Sequence, residues 1–421
     1  MAASNVLHDK PLRIESLGEQ VTLSAAIYYL AFGLYSIGAF FELTSFVTLF
    51  GVERSDFVSA LQMFALALLF FKFLTQRASI LGWICVLAAV AIGYLSWRQG
   101  NEGYFFWLVL FIVCSDGIEI RVLASITLAI VSVLTIFTVL CCNIGIIENR
   151  AFARADFIRY AYGFKHPNHF AGYLLLICAC ISILRFGRNP LLDFVFIGIT
   201  LGINLVLLDS RSSALLSLGQ IILLLIFYLV KDKHARKRWL IVFSIGITAT
   251  VVFSLYIMVF YDASNPLHSA LNSLMSLRPS LAHGYYSMQP LTLLGDDFFG
   301  YAPIYWENGE PATFIVENAF CHLVLRSGIL SATLFFIGLF ALMVKMVHDE
   351  RWDAITFGLI LMTAYGIGET LGIRVECNFF LIAIGTELLF AAEKPTIFSR
   401  KTEKQRTRTR VKPSANLLYG E

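Results

Sequence analysis

The sequence predicts an all-α integral membrane protein of about twelve transmembrane helices, with two long outer loops that contain short helices. Three observations carry that expectation. The 421-residue chain is 58% hydrophobic and only 14% charged, and its mean hydropathy is +0.73. A soluble domain is about 25% charged, so this chain has too few charges to cover a water-facing surface. The apolar residues come in long unbroken runs, not in the alternation that a membrane β-barrel requires. The net charge of +3 decides nothing by its sum, because the placement of charge sets topology.

Residues 1–21 read as a polar cytoplasmic segment of mixed charge. No small-x-small cleavage site closes a short apolar stretch after it, so 22–41 is expected to be a retained first helix. The spans then read as 22–41, 56–74, 78–96, 103–115, 120–142, 169–186, 190–208, 213–230, 239–260, 327–347, 354–371 and 376–391, the fourth being short. Together, residues 22–391 form the expected transmembrane domain, and 392–421 a basic cytoplasmic tail. No fixed-period repeat is visible. Cys85, Cys114, Cys178 and Cys180 lie inside apolar runs, where cysteine packs as a small apolar residue. Cys141 and Cys142 are adjacent, and no cysteine spacing suggests a metal or redox motif.

Basic residues orient the chain. Twenty-two of the 32 Lys and Arg fall on one side: at the amino end (Lys10, Arg13), in alternate connections (Lys72, Arg77, Arg121, Arg185, Arg188, Lys345, Arg351), in the Lys231–Arg238 run and in the tail after Lys394. Positive charge prefers the cytoplasm, so both termini are expected there. The Lys231–Arg238 run and the tail read as topogenic anchors; a lipid-headgroup or partner contact is the alternative. The long connections 143–168 and 261–326 then face outward, and loops of that length are usually functional. The outer side keeps Arg54, Arg98, Arg150, Arg154, Arg159, Lys165, Arg211, Arg278, Arg326 and Arg374 against the topological preference. Either Asp156, Asp296, Asp297, Glu317 and Glu376 pair with them, or an anionic substrate is presented at this face. Arginine suits the second role, since its planar fork binds two phosphate oxygens at once.

Four segments carry chemistry. Asp209-Ser210-Arg211-Ser212-Ser213 is a short turn between two apolar spans, which holds Arg211 at the membrane boundary. A charge there is costly unless paired or solvated, so it reads as a phosphate clamp or as an interfacial arginine paired with Asp209. Leu277-Arg278-Pro279 lies in the long second loop, followed by Asp296-Asp297. Two adjacent carboxylates without a third ligand make a poor metal site. Lys165-His166-Pro167-Asn168-His169 starts a span, with proline at a favoured first helical position. His166 and His169 lack a third metal ligand, so they and Asn168 read as lining a polar mouth. Glu317-Asn318 with His322 leads into Ser327-Gly328-Ile329-Leu330; Asn318 and His322 share a helix face.

This combination resembles the O-antigen ligase and Wzy-type polysaccharide polymerase superfamily. The Ser-Arg-Ser turn at Arg211, the second arginine Arg278 in a large outer loop, the acidic-Asn-aromatic segment before Ser-Gly-Ile-Leu and the Pro167-Asn168 pair carry the resemblance, over residues 160–330 in motifs and over the whole chain in topology. Such proteins take a polyprenyl-pyrophosphate-linked saccharide at the outer leaflet of the bacterial cytoplasmic (inner) membrane. The resemblance implies that Arg211 and Arg278 stabilise the departing pyrophosphate, and that the enzyme needs no cofactor and no metal. It implies a proton acceptor, Glu317, with His166, His283 and His322 as rivals. It also implies substrate contacts from Arg159, His166, Asn168, His283, Asn318 and His322. Partners of the chain-length-regulator and flippase kind follow from the same resemblance, and no nucleic acid.

The related ligases carry His before the Asn where this chain has Glu317. That favours a polymerase that joins repeat units of an exopolysaccharide, capsule or O-antigen. A ligase-type glycan transferase is the nearest alternative. A transporter or flippase for a lipid-linked or anionic substrate is the alternative of another class, but its mid-span Gly/Pro breaks and internal symmetry are not visible. A glycosyltransferase using Glu42 in the first outer connection is a further alternative.

Overall fold

The computed structural model describes residues 22–76, 80–154, 157–288, 290–297, 304–305, 311–312 and 316–390. The expected amino-terminal segment, the basic tail, Arg77 and Asp156 lie outside the described residues.

The protein is a membrane-embedded helical bundle. Among the described residues, seven helical stretches are long and apolar enough to cross a membrane: Leu23–Glu42, Arg54–Leu74, Ile120–Asn143, Pro167–Leu184, Arg211–Leu229, Lys233–Phe260 and Ala319–His348. Shorter apolar helices occupy Tyr104–Val113, Leu191–Val206, Ala354–Tyr365 and Phe379–Leu389. In chain order we number α1 (Leu23–Glu42), α2 (Arg54–Leu74), α3 (Ile80–Gly100), α4 (Tyr104–Val113), α5 (Ile120–Asn143), α6 (Pro167–Leu184), α7 (Leu191–Val206), α8 (Arg211–Leu229), α9 (Lys233–Phe260), α10 (Pro266–Leu274), α11 (Arg278–Met288), α12 (Ala319–His322), α13 (Gly328–His348) and α14 (Ala354–Tyr365).

Local grammar sets the ends. Thr22 accepts from the Ala25 amide at the start of α1, Asp353 from Thr356 at the start of α14, and Asn265 from Leu267 at the start of α10, satisfying amides that a helix start leaves without partners. Asp232 does the same for Ala235, so α9 begins inside the basic run at Lys233, six residues before the expected 239. Large apolar side chains on the outer faces stay exposed, as on α2 (Phe64, Phe70, Phe71) and α8 (Leu215, Ile222). In a bilayer this is the lipid-facing surface. The shorter α4 is buried on nearly every side, as a helix apolar all round should be.

The connections gather at two ends. At one, Ser24 meets Thr75, Lys72 donates to the Asp116 carbonyl, Glu350 pairs with Lys233 and Lys237, and Arg351 with Glu387. At the other, Lys165 donates from its amide to Leu43, Asn101 meets Asp297, Arg374 meets Glu42, and Arg278 meets Glu317. The 143–168 connection corrects the expectation of short helices there: it carries a hairpin of β3 (Ala151–Arg154) and β4 (Phe157–Tyr160), paired Ala151 with Tyr160 through Arg154 with Phe157. Its small, aromatic and β-branched residues suit a pleated pair better than a helix. A smaller hairpin, β1 (Thr48–Leu49) with β2 (Val52–Glu53), joins α1 to α2. The second long loop does contain short helices, α10 and α11.

Two expected spans end differently. The 354–371 helix stops at Tyr365, and the chain runs without regular helix through Gly366, Gly368 and Gly372. The 376–391 segment is a succession of short 3₁₀ and π turns at Phe379–Ile382 and Gly385–Leu389. Every residue from Leu371 to Thr386 is buried, so this segment threads the centre of the bundle. Irregular backbone at such depth is tolerated only where protein surrounds it. All eight cysteines are free thiols, seven of them buried, in keeping with a packing role.

Candidate functional site

At the end where the long loops meet lies a cavity of about 440 Å³. Arg159, His166, Asn168, Arg211, Ser212, Ser276, Leu277, Arg278 and Glu317 line it. Six of these were singled out from sequence as site residues.

Three helices begin at this cavity. Asn168 belongs to the first turn of α6, Arg211 and Ser212 to that of α8, and Arg278 is the first residue of α11. Helix starts present partly positive N–H ends, so their convergence favours an anion. The turn into α8 is tight: Asp209 adopts a left-handed φ of 41°. The turn into α11 needs two consecutive residues of this kind, Ser276 at 55° and Leu277 at 67°. For leucine this conformation is costly, and such strain concentrates at functional sites. Here it turns the chain back so that Arg278 points into the bundle.

Arg278 is 8% exposed and held from three directions. Its Nη1 donates to Ser212 Oγ at 2.9 Å, and its Nη2 meets Glu317 at 2.6 Å and Glu369 Oε1 at 2.9 Å. Its Nε is buried and has no hydrogen-bond partner among the described residues. Asn168 Nδ2 donates to the same Glu369 oxygen at 2.9 Å, and Ser210 Oγ donates to Asn168 Oδ1 at 3.3 Å. Glu369 thus stands behind the cavity and links α6 to α11. Its carboxyl is pushed above the ordinary glutamate range, first by burial and then by the neighbouring Glu317 charge, with Arg278 and Asn168 opposing. Residue 369 falls inside the span expected at 354–371, which is why sequence reasoning missed it. The available signal was a carboxylate within an apolar run, in a Gly366-Ile367-Gly368-Glu369 context.

Arg211 differs from Arg278. Its side chain is 65% exposed and only loosely paired with Asp209, at 3.9 Å. Arg159, on β4, is buried and reaches the Asp209 carbonyl at 3.5 Å. His166 caps α6 by accepting from the Asn168 amide at 3.2 Å, so its Nδ1 is the acceptor. Among the described lining residues, three guanidinium groups stand against the Glu317 carboxylate, a net positive balance.

Three predicted site residues are not brought to this cavity. Asn318 accepts from the Phe320 and Cys321 amides as the cap of α12, and its Nδ2 donates to Ser254. His283 sits against the Met258 carbonyl and Ser287. His322 pairs with Glu102 at 2.5 Å. The physical reason is the same in each case: a nearer backbone or carboxylate partner captures the polar group. Of the acidic partners expected for outer arginines, Glu317 pairs with Arg278, Asp297 with Arg326 at 3.1 Å, and Glu376 with Arg374.

Neither models of known protein families, nor characterised proteins, nor solved structures match this chain.

Proposed function

We propose that the protein is a polymerase that joins polyprenyl-pyrophosphate-linked oligosaccharide repeat units at the outer leaflet of a bacterial inner membrane. In this reading the chain crosses the membrane twelve times, both termini are cytoplasmic, and the cavity faces outward at headgroup level. The observation that carries it is the meeting of Arg159, Arg211 and Arg278 with Glu317 in one cavity, at the starts of three helices. Pyrophosphate is a dianion or more, and a cavity with a positive lining at a membrane boundary suits it.

The reaction then runs as follows. The acceptor hydroxyl oxygen attacks the anomeric carbon of the lipid-linked donor, and the bond from that carbon to the pyrophosphate oxygen breaks. The electron pair leaves with the pyrophosphate, whose growing charge Arg211 and Arg278 stabilise. The hydroxyl proton passes to the Glu317 carboxylate. Glu369 and Ser212 fix the Arg278 guanidinium, so that it needs no rearrangement as charge develops. The exposed Arg211 is free to follow the phosphate as substrate enters and product leaves.

The test is to give the purified protein a lipid-linked oligosaccharide and resolve the products by length. A ladder supports polymerisation. One transfer to a different acceptor makes it a ligase, and transbilayer movement without a new glycosidic bond makes it a transporter.

A further inference from the structure

Outside the cavity, a second charged cluster is built around His322, and the mechanism above does not use it. The His322 Nε2 lies 2.5 Å from Glu102 Oε2, and its Nδ1 lies 3.2 Å from the Val316 carbonyl oxygen. Glu102 belongs to the short connection between α3 and α4, and the same oxygen is 3.3 Å from Arg326, which reaches on to Asp297. The Tyr104 ring stacks on His322 with centroids 6.4 Å apart, and Arg374 lies over the Tyr104 ring. Among the described residues, Glu102, Arg326, Tyr104 and Arg374 are the charged and titratable groups around the imidazole.

Both ring nitrogens face acceptors. A peptide carbonyl has no proton to give. Burial alone would raise the Glu102 carboxyl, but His322 and then Arg326 outweigh that and lower it. The imidazole therefore ties the Glu102 side chain to the peptide bond between residues 316 and 317.

The Val316 carbonyl is the acceptor that matters for the site, because it belongs to the peptide bond immediately before Glu317. On the other side of Glu317, Asn318 is tied to Ser254 at 2.9 Å and to the first amides of α12. Glu317 is thus presented to Arg278 from a short segment anchored at both ends, and His322 is one anchor. We propose that His322, held between Glu102 and the Val316 carbonyl, is a positioning residue that fixes the 316–318 backbone and so sets where the Glu317 carboxylate stands. This rests on the reading of Glu317 as the proton acceptor, but the backbone restraint is measurable without it.

Two readouts test it. The first is hydrogen exchange of the 316–322 backbone in detergent-solubilised protein, which needs no substrate. In His322→Gln, His322→Ala and Glu102→Gln, exchange of this segment should be about tenfold faster or more, reflecting loss of an anchor worth about 1.4 kcal/mol or more. Asp297→Asn breaks the Arg326 pair without touching the imidazole and should leave the segment as in the parent. The second is turnover of lipid-linked oligosaccharide. Glu102→Gln and His322→Gln should lower kcat by about a hundredfold with KM nearly unchanged, the scale of a misplaced catalytic group. In a Glu317→Gln background the same changes should cost nothing further, because residues acting through one group are non-additive. Unchanged exchange in all three variants overturns the proposal, whatever the activity. Losses that multiply with Glu317→Gln also overturn it, since His322 then acts independently. If the parent makes no glycan product at all, the polymerase reading fails while the exchange result still decides the positioning role.

Discussion

Arg278 and Glu369, 91 positions apart in the chain, are joined by a 2.9 Å hydrogen bond from Nη2 to Oε1. Glu317 approaches the same Nη2 at 2.6 Å. One guanidinium nitrogen therefore separates two carboxylates, and the more deeply buried of them resists ionisation. The arrangement predicts unequal responses to substitution. A protonated Glu369 still accepts through Oε1 from Arg278 and Asn168, and glutamine copies that state. Glu369→Gln should stay within about 1 kcal/mol of the parent, whereas Glu369→Ala leaves Asn168 and one side of Arg278 without an acceptor and should cost about 1–3 kcal/mol.

The pH dependence follows with a definite sign. The folded protein binds the Glu369 proton more tightly than the unfolded chain does, so this group's contribution is fully present at low pH. It is lost as pH rises above the ordinary value of 4.5 and through the raised folded value. Melting temperature in detergent should therefore decline with rising pH more steeply in the parent than in Glu369→Gln. Parallel curves would mean that Glu369 ionises normally.

Glu317→Gln separates catalysis from structure. As a proton acceptor, Glu317 is worth about a hundredfold or more in turnover, with lipid-linked substrate still bound. Loss of substrate binding or of folded protein would instead assign Glu317 to holding Arg278. Unchanged turnover would remove it from the mechanism.

The topology is tested at the chain's far end. A reporter that is active only in the cytoplasm, fused after Glu421, should be active. One that is active only outside the membrane should be silent there and active when inserted within 261–277. The reverse pattern would invert every loop assignment.

The loop end has its own packing constraint. Gly295 and Gly328 have φ of 88° and 84°, and a Cβ on Gly328 would lie 2.2 Å from the Gly295 nitrogen. Gly328→Ala should destabilise by about 3 kcal/mol or more, combining left-handed strain with backbone overlap. Gly202, in α7, has open space around its Cβ position, so Gly202→Ala should be neutral or stabilising by up to about 1 kcal/mol. Thermal unfolding of both variants checks the contrast.

Much of the fold was legible because apolar runs and caps are local signals. Helix α6 starts at the predicted Pro167, and seven of the expected spans coincide with described helices long and apolar enough to cross a membrane. What was hidden depends on distant neighbours. Glu369 looked like part of a span because the break in α14 comes from glycines that pack closely only in three dimensions, Gly372 against Gly366. The hairpin carrying Arg159 is too short for alternation to stand out. The order of Arg211, Arg278 and Glu317 was readable, but their meeting depends on the Ser276–Leu277 turn, which no sequence signal marks. The resemblance implies a substrate contact for His322. The four-residue α12 instead aims it at Glu102, 220 positions earlier in the chain.

The central claim is that Arg211 and Arg278 stabilise a departing pyrophosphate. The most direct measurement is product length from lipid-linked oligosaccharide with purified parent, Arg211→Ala, Arg278→Ala and Arg211→Lys proteins of equal fold and insertion. The account predicts a ladder from the parent, no glycan product from either alanine variant, and a large loss in Arg211→Lys, because a point charge cannot copy the planar fork. Near-normal ladders from both alanine variants would contradict it and leave the two arginines as structural anchors.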